Sequence, residues 1–232
     1  HQIARAGELG VAVEGRVSFD WTAIQQRKDK VLATLRGGIK GLFGARKVKV
    51  FEGRGRLTGG GAIAVEGAKP AALTADRIIL AVGSTPSRIP GWPEDPAIVC
   101  TSDEALHWKS LPGRLVIVGG GVIGCEFACM MQPLGVEVTV VEMMPRLLPE
   151  MDADLADALA AAFKQRKIAV HTDAKVQDLK ATEGGVSVTL STGQTLAADK
   201  VLVATGRRPA TADIGLETVG LSTDRGFLRV ND

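Results

Sequence analysis

Between residues 19 and 43, apolar side chains fall at Trp21, Ile24, Val31, Leu32, Leu35, Ile39, Leu42 and Phe43. This spacing marks one face of a helix, so a long amphipathic helix is predicted, capped by Ser18 and loosened in its second half by Gly37 and Gly38. The rhythm then shortens. KVKVFEGRGRL and AIAVEG alternate with the two-residue period of strands, and DRIILAVGSTP reads as a short buried strand entering a Gly-Ser turn stopped by Pro86. Residues 86–100, PSRIPGWPEDPAIVC, hold four prolines and little periodicity, and form the best linker candidate.

Beyond that segment Ser102 is placed to cap a short helix, and strand alternates with helix: strand 115–118, helix 122–134, strand 136–141, helix 152–167, strand 168–171. Such alternation predicts a parallel sheet with helices packed on it. Pro133 removes a backbone donor near the end of helix 122–134, which predicts an early end or a kink. KVQDLKAT and VSVTLS, joined around Gly184 and Gly185, predict an antiparallel meander set into the crossover, after which KVLVATGRRP returns to a buried strand. ILAVGSTP and VLVATGRRP are one device used twice.

Composition narrows the class. The chain has 232 residues, enough for one large or two modest domains, and its 45% hydrophobic and 23% charged content is that of an ordinary globular protein. No apolar run approaches the ~20 residues of a membrane-spanning helix, so no membrane association is expected. A net charge of +2 gives no case for nucleic acid, and Lys28, Lys30, Arg36, Lys40, Arg46, Lys47 and Lys49 are read as a solvated face. Cys100, Cys125 and Cys129 are too few and too uneven for a secreted disulfide framework; with no signal peptide at the start, a reducing, cytoplasmic setting is expected. Cys125 and Cys129 lie one helical turn apart, roughly 6 Å with parallel side chains, and are read as core residues rather than a disulfide. His1, His107 and His171 form no visible site, and no metal is expected. The chain opens on His1 rather than Met and stops in RGFLRVND, so both ends read as cut from something longer.

The candidate chemistry lies in LVIVGGGVIGCEF. Gly119, Gly121 and Gly124 fit G-x-G-x-x-G: the first for the tight strand-to-helix turn, the second for approach of a pyrophosphate to the backbone, the third for close helix packing. The phosphates would sit at the amino end of helix 122–134, where unpaired N–H groups and the helix dipole favour negative charge. The following strand ends in Glu142, 23 residues after Gly119, near the spacing expected of an acid that binds the adenine ribose. A carboxylate accepts from a ribose 2′-hydroxyl and repels a 2′-phosphate, Met143, Met144 and Pro145 offer no positive charge, and Arg146 is read as a solvent-facing loop charge; NAD is therefore favoured over NADP.

Together with GGIKGLF, KVKVFEGRGRLTG, IILAVGSTPSRIPG, TSDEAL, LGVEVTVVEMMPRLLPEMD, VLVATGRRP and DRGFLRVND, this motif makes nearly the whole chain resemble the flavin-dependent pyridine nucleotide–disulfide oxidoreductases, and among them the dihydrolipoamide dehydrogenases. The resemblance implies two nucleotide-binding folds, one for FAD and one for NAD, the second interrupting the first. It implies that Gly119, Gly120, Gly121, Val122, Ile123 and Gly124 hold the NAD pyrophosphate and Glu142 the adenosine ribose, with Val176 and Gly206 also lining that site. Met143 and Pro149 match the positions of two arginines that bind the 2′-phosphate in NADP-using relatives. Gly55, Val82, Gly83 and Ser84 fall where relatives contact FAD. Val122 matches the side chain that shields the flavin ring, and Glu126 a carboxylate that pairs with a lysine beside it, although a first-turn acid on the helix dipole explains Glu126 equally well.

The fold expected is α/β: a Rossmann-like NAD-binding domain with parallel sheet and antiparallel meander at 98–210, an incomplete FAD-binding domain at 1–97, and 211–232 returning to it. The family's redox-active Cys pair, its first FAD glycine fingerprint, the flavin-pairing lysine, the later Gly-Asp motif, the His-Glu acid/base pair and the dimerisation domain have no counterpart in the sequence. The expected parent is an oxidoreductase that reoxidises protein-bound dihydrolipoamide and passes hydride through FAD to NAD. It would act as a homodimer serving the lipoyl-bearing acyltransferase of a 2-oxo acid dehydrogenase complex. The present chain is expected to keep NAD binding, to hold no catalytic residue and to lose FAD. The alternatives are an NADPH-dependent flavin disulfide reductase of mercuric or glutathione type, and a non-enzymatic NAD-binding module.

Overall fold

In the computed structural model, which describes residues 3–12, 14–15 and 17–231, the chain divides into two units, one within residues 1–26 and 86–206, the other within 27–85 and 207–232. His1 lies outside the described residues. Helix α1 (Trp21–Ala45) forms where the 3.6-residue pattern predicts it, but its cap is Asp20, not Ser18: the Asp20 carboxylate accepts from the Ala23 N–H at 3.0 Å, a bond that a side chain two residues earlier is not placed to make. No residue of α1 is buried, and Leu35 and Leu42 of its apolar stripe are 60% and 65% exposed.

Strands β1 (Arg54–Gly59), β2 (Ala62–Glu66) and β3 (Ala71–Thr74) form an antiparallel meander, turning first through Gly59, Gly60 and Gly61, all at positive φ. Leu57 of β1 buries with Ile214 and Leu216 to form this unit's small core. One expected strand and the first half of another are absent here. Residues 47–51 and 76–80 carry strand-like side chains but no ladder, and Phe51 and Ile79 are exposed. Alternation selects an extended backbone, yet a strand also needs a neighbour for its N–H and C=O groups, and none pairs with either segment among the described residues. The short β4 (Ser84–Pro86) follows.

The other unit contains β5 (Val99–Thr101), α2 (Ser102–Ala105), β6 (Arg114–Val118), α3 (Val122–Met131), β7 (Glu137–Val141), α4 (Ala153–Gln165), β8 (Ala169–His171), β9 (Val176–Thr182), β10 (Gly185–Leu190), β11 (Thr195–Ala198) and β12 (Lys200–Val203). Ser102 is the first helical residue of α2 and not its cap; Thr101 caps it, donating its N–H to Glu104 at 2.7 Å and its hydroxyl to the same carboxylate. Pro133 sits in a 3₁₀ turn, Gln132–Leu134, and α3 ends early, at Met131. The meander has three strands, order β11-β10-β9, one more than the sequence pattern gives. Beyond β12, β13 (Arg207–Pro209) pairs with β4, and β14 (Thr223–Asp224) with β15 (Phe227–Leu228).

A parallel five-stranded sheet, order β5-β12-β6-β7-β8, organises this unit. Both faces are covered, and so all of Leu115–Val118 is buried. Leu115 and Ile117 point to the face packed by Cys125, Ala128 and Met131 of α3 and Phe163 of α4, while Val116 and Val118 point to the face covered by Val186, Val188 and Leu190 of the meander. Each such side chain contributes roughly 1.5–3 kcal/mol by leaving water. No helix among the described residues is long and apolar enough to cross a membrane.

Candidate functional site

The chain leaves β6 through α3 to reach β7 on one side and returns through β12 on the other. This reversal opens a crevice beyond the carboxyl ends of the strands, the usual ligand position in an open α/β sheet. A cavity of about 550 Å³ lies there, lined by the residues just past β6 (Gly119, Gly121), β7 (Glu142) and β12 (Ala204, Thr205, Gly206).

The glycines differ in what excludes a side chain. At Gly119, φ is +112° and a Cβ would lie 2.4 Å from the Ala204 carbonyl oxygen, so the turn tolerates no other residue. At Gly124 a Cβ would meet the Gly119 oxygen at 2.0 Å, because α3 is drawn hard against the end of β6. Gly121 is the opposite case: nothing lies within 4 Å of its Cβ position, and it lines the cavity. It precedes α3, whose first N–H groups have no partner within the helix and form the positive end of its dipole.

Glu142 stands at the mouth of that helix. It is 6% exposed, its Oε2 accepts from the Gly120 N–H at 2.6 Å and its Oε1 from the Met144 N–H at 2.7 Å. These bonds fix the carboxylate facing the cavity, and each oxygen has a second lone pair for a further donor. Met143, Met144 and Pro149 line the same end and carry no charge. Arg146, a loop charge, is also tied to the backbone. It is half-buried, with one guanidinium nitrogen donating to the carbonyls of Pro149 and Met151, both at 3.2 Å.

Of the residues singled out in the sequence, Gly119, Gly121, Val122, Ile123, Glu142, Val176 and Gly206 line this one cavity. Gly120 and Gly124 stand behind its wall, where a Cβ on Gly120 would meet Leu147 at 2.7 Å. Glu126 is exposed on α3 and does not line the cavity. Gly55, Val82, Gly83 and Ser84 line neither this cavity nor the second one, at 208–226. Gly55 pairs with Val65 in the β1–β2 ladder, the Gly83 carbonyl accepts from Ala210, and Ser84 takes two bonds from the Arg207 guanidinium.

Trp92 and Lys175 line the cavity without having been singled out. A lone indole in a proline-rich segment has no periodicity to mark it, and Lys175 reads as a strand-edge charge until the bond from the Ala174 N–H to the Glu142 carbonyl, 3.1 Å, brings its segment beside the acid. The cysteines are free thiols: burial pushes Cys100 and Cys125 up to about 12, and Cys129 is half-buried. No group of acidic, His and Cys side chains among the described residues could hold a metal ion.

Residues 4–232 match the family model described as pyridine nucleotide-disulphide oxidoreductase. The chain is 37% identical over 231 residues to the dihydrolipoyl dehydrogenase of Chlamydia trachomatis, covering 98% of this chain and 49% of that protein. It is 40% identical over 229 residues to that of Chlorobaculum tepidum, covering 96% and 49%. Among solved structures it resembles LpdA from Mycobacterium tuberculosis, with a TM-score of 0.86, 31% identity and coverage of 97% and 50%. It also resembles the HOCl-induced flavoprotein disulfide reductase RclA from Escherichia coli, with a TM-score of 0.80, 30% identity and coverage of 92% and 49%. The chain thus spans about half the length of the curated relatives it matches.

Proposed function

The chain belongs to the pyridine nucleotide-disulphide oxidoreductase family, and on that footing we propose that it carries the NAD-binding region of an enzyme that reoxidises protein-bound dihydrolipoamide. The observation that carries this reading is the Glu142 carboxylate, held on the Gly120 N–H at 2.6 Å inside a cavity walled by the start of α3. The free N–H groups of that helix mouth bind the pyrophosphate, with Gly121 leaving room for it, and Glu142 accepts from the adenosine ribose hydroxyls. Val176 and Gly206 complete the wall. Nicotinamide, when bound, supplies the carbon that takes the hydride; the protein's part is to hold and orient it.

A 2′-phosphate at this end would face the Glu142 carboxylate and uncharged Met143 and Pro149, while the other charged lining residues, Lys175 and Glu150, offset one another. Carboxylate–phosphate repulsion at about 4–6 Å disfavours it by roughly tenfold or more. Gly55, Val82, Gly83 and Ser84 line neither of the two cavities described. Complete enzymes of this kind would add the flavin, the disulfide, a second subunit and a lipoyl-bearing acyltransferase as partner.

Fluorescence titration of the 232-residue chain with NADH and NADPH tests the proposal. Saturable NADH binding at submillimolar concentration, at least about tenfold tighter than NADPH, supports it. No NADH binding up to millimolar concentration overturns it, and a preference for NADPH would favour a flavoprotein disulfide reductase of the other coenzyme class.

A further inference from the structure

The segment between β7 and α4, residues 142–152, has no regular structure, yet it forms one wall of the cavity through Glu142, Met143, Met144, Leu148, Pro149 and Met151. Its course is unusual. Leu148 is at φ +47°, a left-handed conformation that bulky side chains avoid, and such a residue persists only where its surroundings over-determine it. Part of that determination is local: the Leu148 N–H donates to the Gly120 carbonyl at 2.8 Å, the Met151 N–H to the Leu148 carbonyl at 2.9 Å, and Leu147 is buried against Gly120. The remainder comes from Arg146. One guanidinium nitrogen donates to the Pro149 and Met151 carbonyls at 3.2 Å each, closing the segment on itself just before Asp152, the residue that precedes α4.

Arg146 does not line the cavity, whereas the residues whose carbonyls it holds do. Arg146 spends one guanidinium nitrogen on these two carbonyls and stands outside the cavity lining, although it is the one cation in the 142–152 segment. We propose that Arg146 is a positioning residue for the adenosine end of the cavity, fixing the Leu148–Met151 wall before the dinucleotide arrives and staying withdrawn from phosphate recognition. This rests on the nucleotide-binding reading above. Its physical content is preorganisation: a wall already ordered in the free protein is not ordered at the expense of binding. Charge-assisted bonds to two carbonyls of one short loop suit that role, because losing the guanidinium leaves both acceptors without their partner while the parallel sheet keeps its own bonds.

The test compares the wild-type chain with Arg146→Met and Arg146→Lys. In the ligand-free protein, hydrogen exchange at the Leu148 and Met151 amides should speed up by about tenfold in R146M, with exchange at Ile117 and Val140 in the sheet unchanged. R146K, which keeps a cation able to reach a carbonyl, should recover part of the protection. NADH affinity should fall about three- to tenfold in R146M, while the slope of log affinity against log salt stays that of the wild type. Unchanged loop exchange in R146M overturns the proposal, as does a salt slope smaller by about one charge, which would mark Arg146 as a direct phosphate ligand. Wild-type chain that binds no NADH defeats the nucleotide reading and the affinity part with it, and that result is distinct from loss of binding in the variant alone.

Discussion

Replacing Glu142 with Gln keeps the size of the side chain and removes its charge, which isolates what the carboxylate does. Both oxygens accept from backbone N–H groups, Gly120 at 2.6 Å and Met144 at 2.7 Å, in a side chain only 6% exposed. A carboxamide has one acceptor oxygen and one NH2, so it can satisfy one amide and must turn donors toward the other. One charge-assisted bond weakens to a neutral one and one becomes a donor–donor contact, a combined cost of about 3 kcal/mol. For a chain of this length that corresponds to a melting temperature lower by roughly 6–12 °C. Urea denaturation of both proteins, followed by far-ultraviolet circular dichroism, measures the difference directly, and NADH titration in parallel should show a loss of roughly tenfold or more because a ribose acceptor is gone as well. If E142Q unfolds within about 0.5 kcal/mol of the wild type, the two short bonds do not hold the carboxylate and the geometry assigned to the site is wrong.

Three further outcomes are expected. Gly121→Ala places its methyl where nothing lies within 4 Å, so it should leave the unfolding midpoint unchanged and weaken NADH binding, whereas Gly119→Ala, 2.4 Å from the Ala204 oxygen, should lower stability by more than about 2 kcal/mol; equal stabilities for the two would contradict the packing described. The Arg114 guanidinium, then its N–H, hold the Asp199 carboxyl below its usual 3.8, so this pair's contribution is present above about that pH and is lost as pH falls through the lowered value; acid-unfolding curves of Asp199→Asn should be flatter there, and a curve as steep as the wild type's would count against it. Burial holds the Cys125 thiol up near 12, so its contribution is complete below about 9 and is lost toward 12; alkaline denaturation of Cys125→Ser should show a shallower loss of stability over that range.

What could be read from the sequence was whatever a local period or a steric demand dictates. The alternation from Leu115 to His171 produced the parallel sheet because each element there buries against its neighbours in the same chain. The roles of Gly119 and Gly124 follow from backbone contacts that any strand–glycine–helix turn must make. Helix caps were missed by one or two residues, since Ser18 and Ser102 have the right chemistry but Asp20 and Thr101 have the right position. Residues 76–80 have a strand's side chains and, among the described residues, no partner strand, a fact no window of sequence contains. The bonds of Arg146 were illegible for a related reason: its partners are carbonyls, and backbone oxygen leaves no trace in a residue pattern.

Under the proposed function, the bond between Gly120 and Glu142 joins two recognition tasks that motif descriptions keep apart. The peptide that enters the helix mouth also sets the bearing of the acid, so tilting it would shift the proposed diphosphate and sugar contacts together. Exchanging the acid to change coenzyme preference would therefore strand the Gly120 amide, and a successful redesign must supply that amide with a new acceptor at the same moment as it supplies a cation.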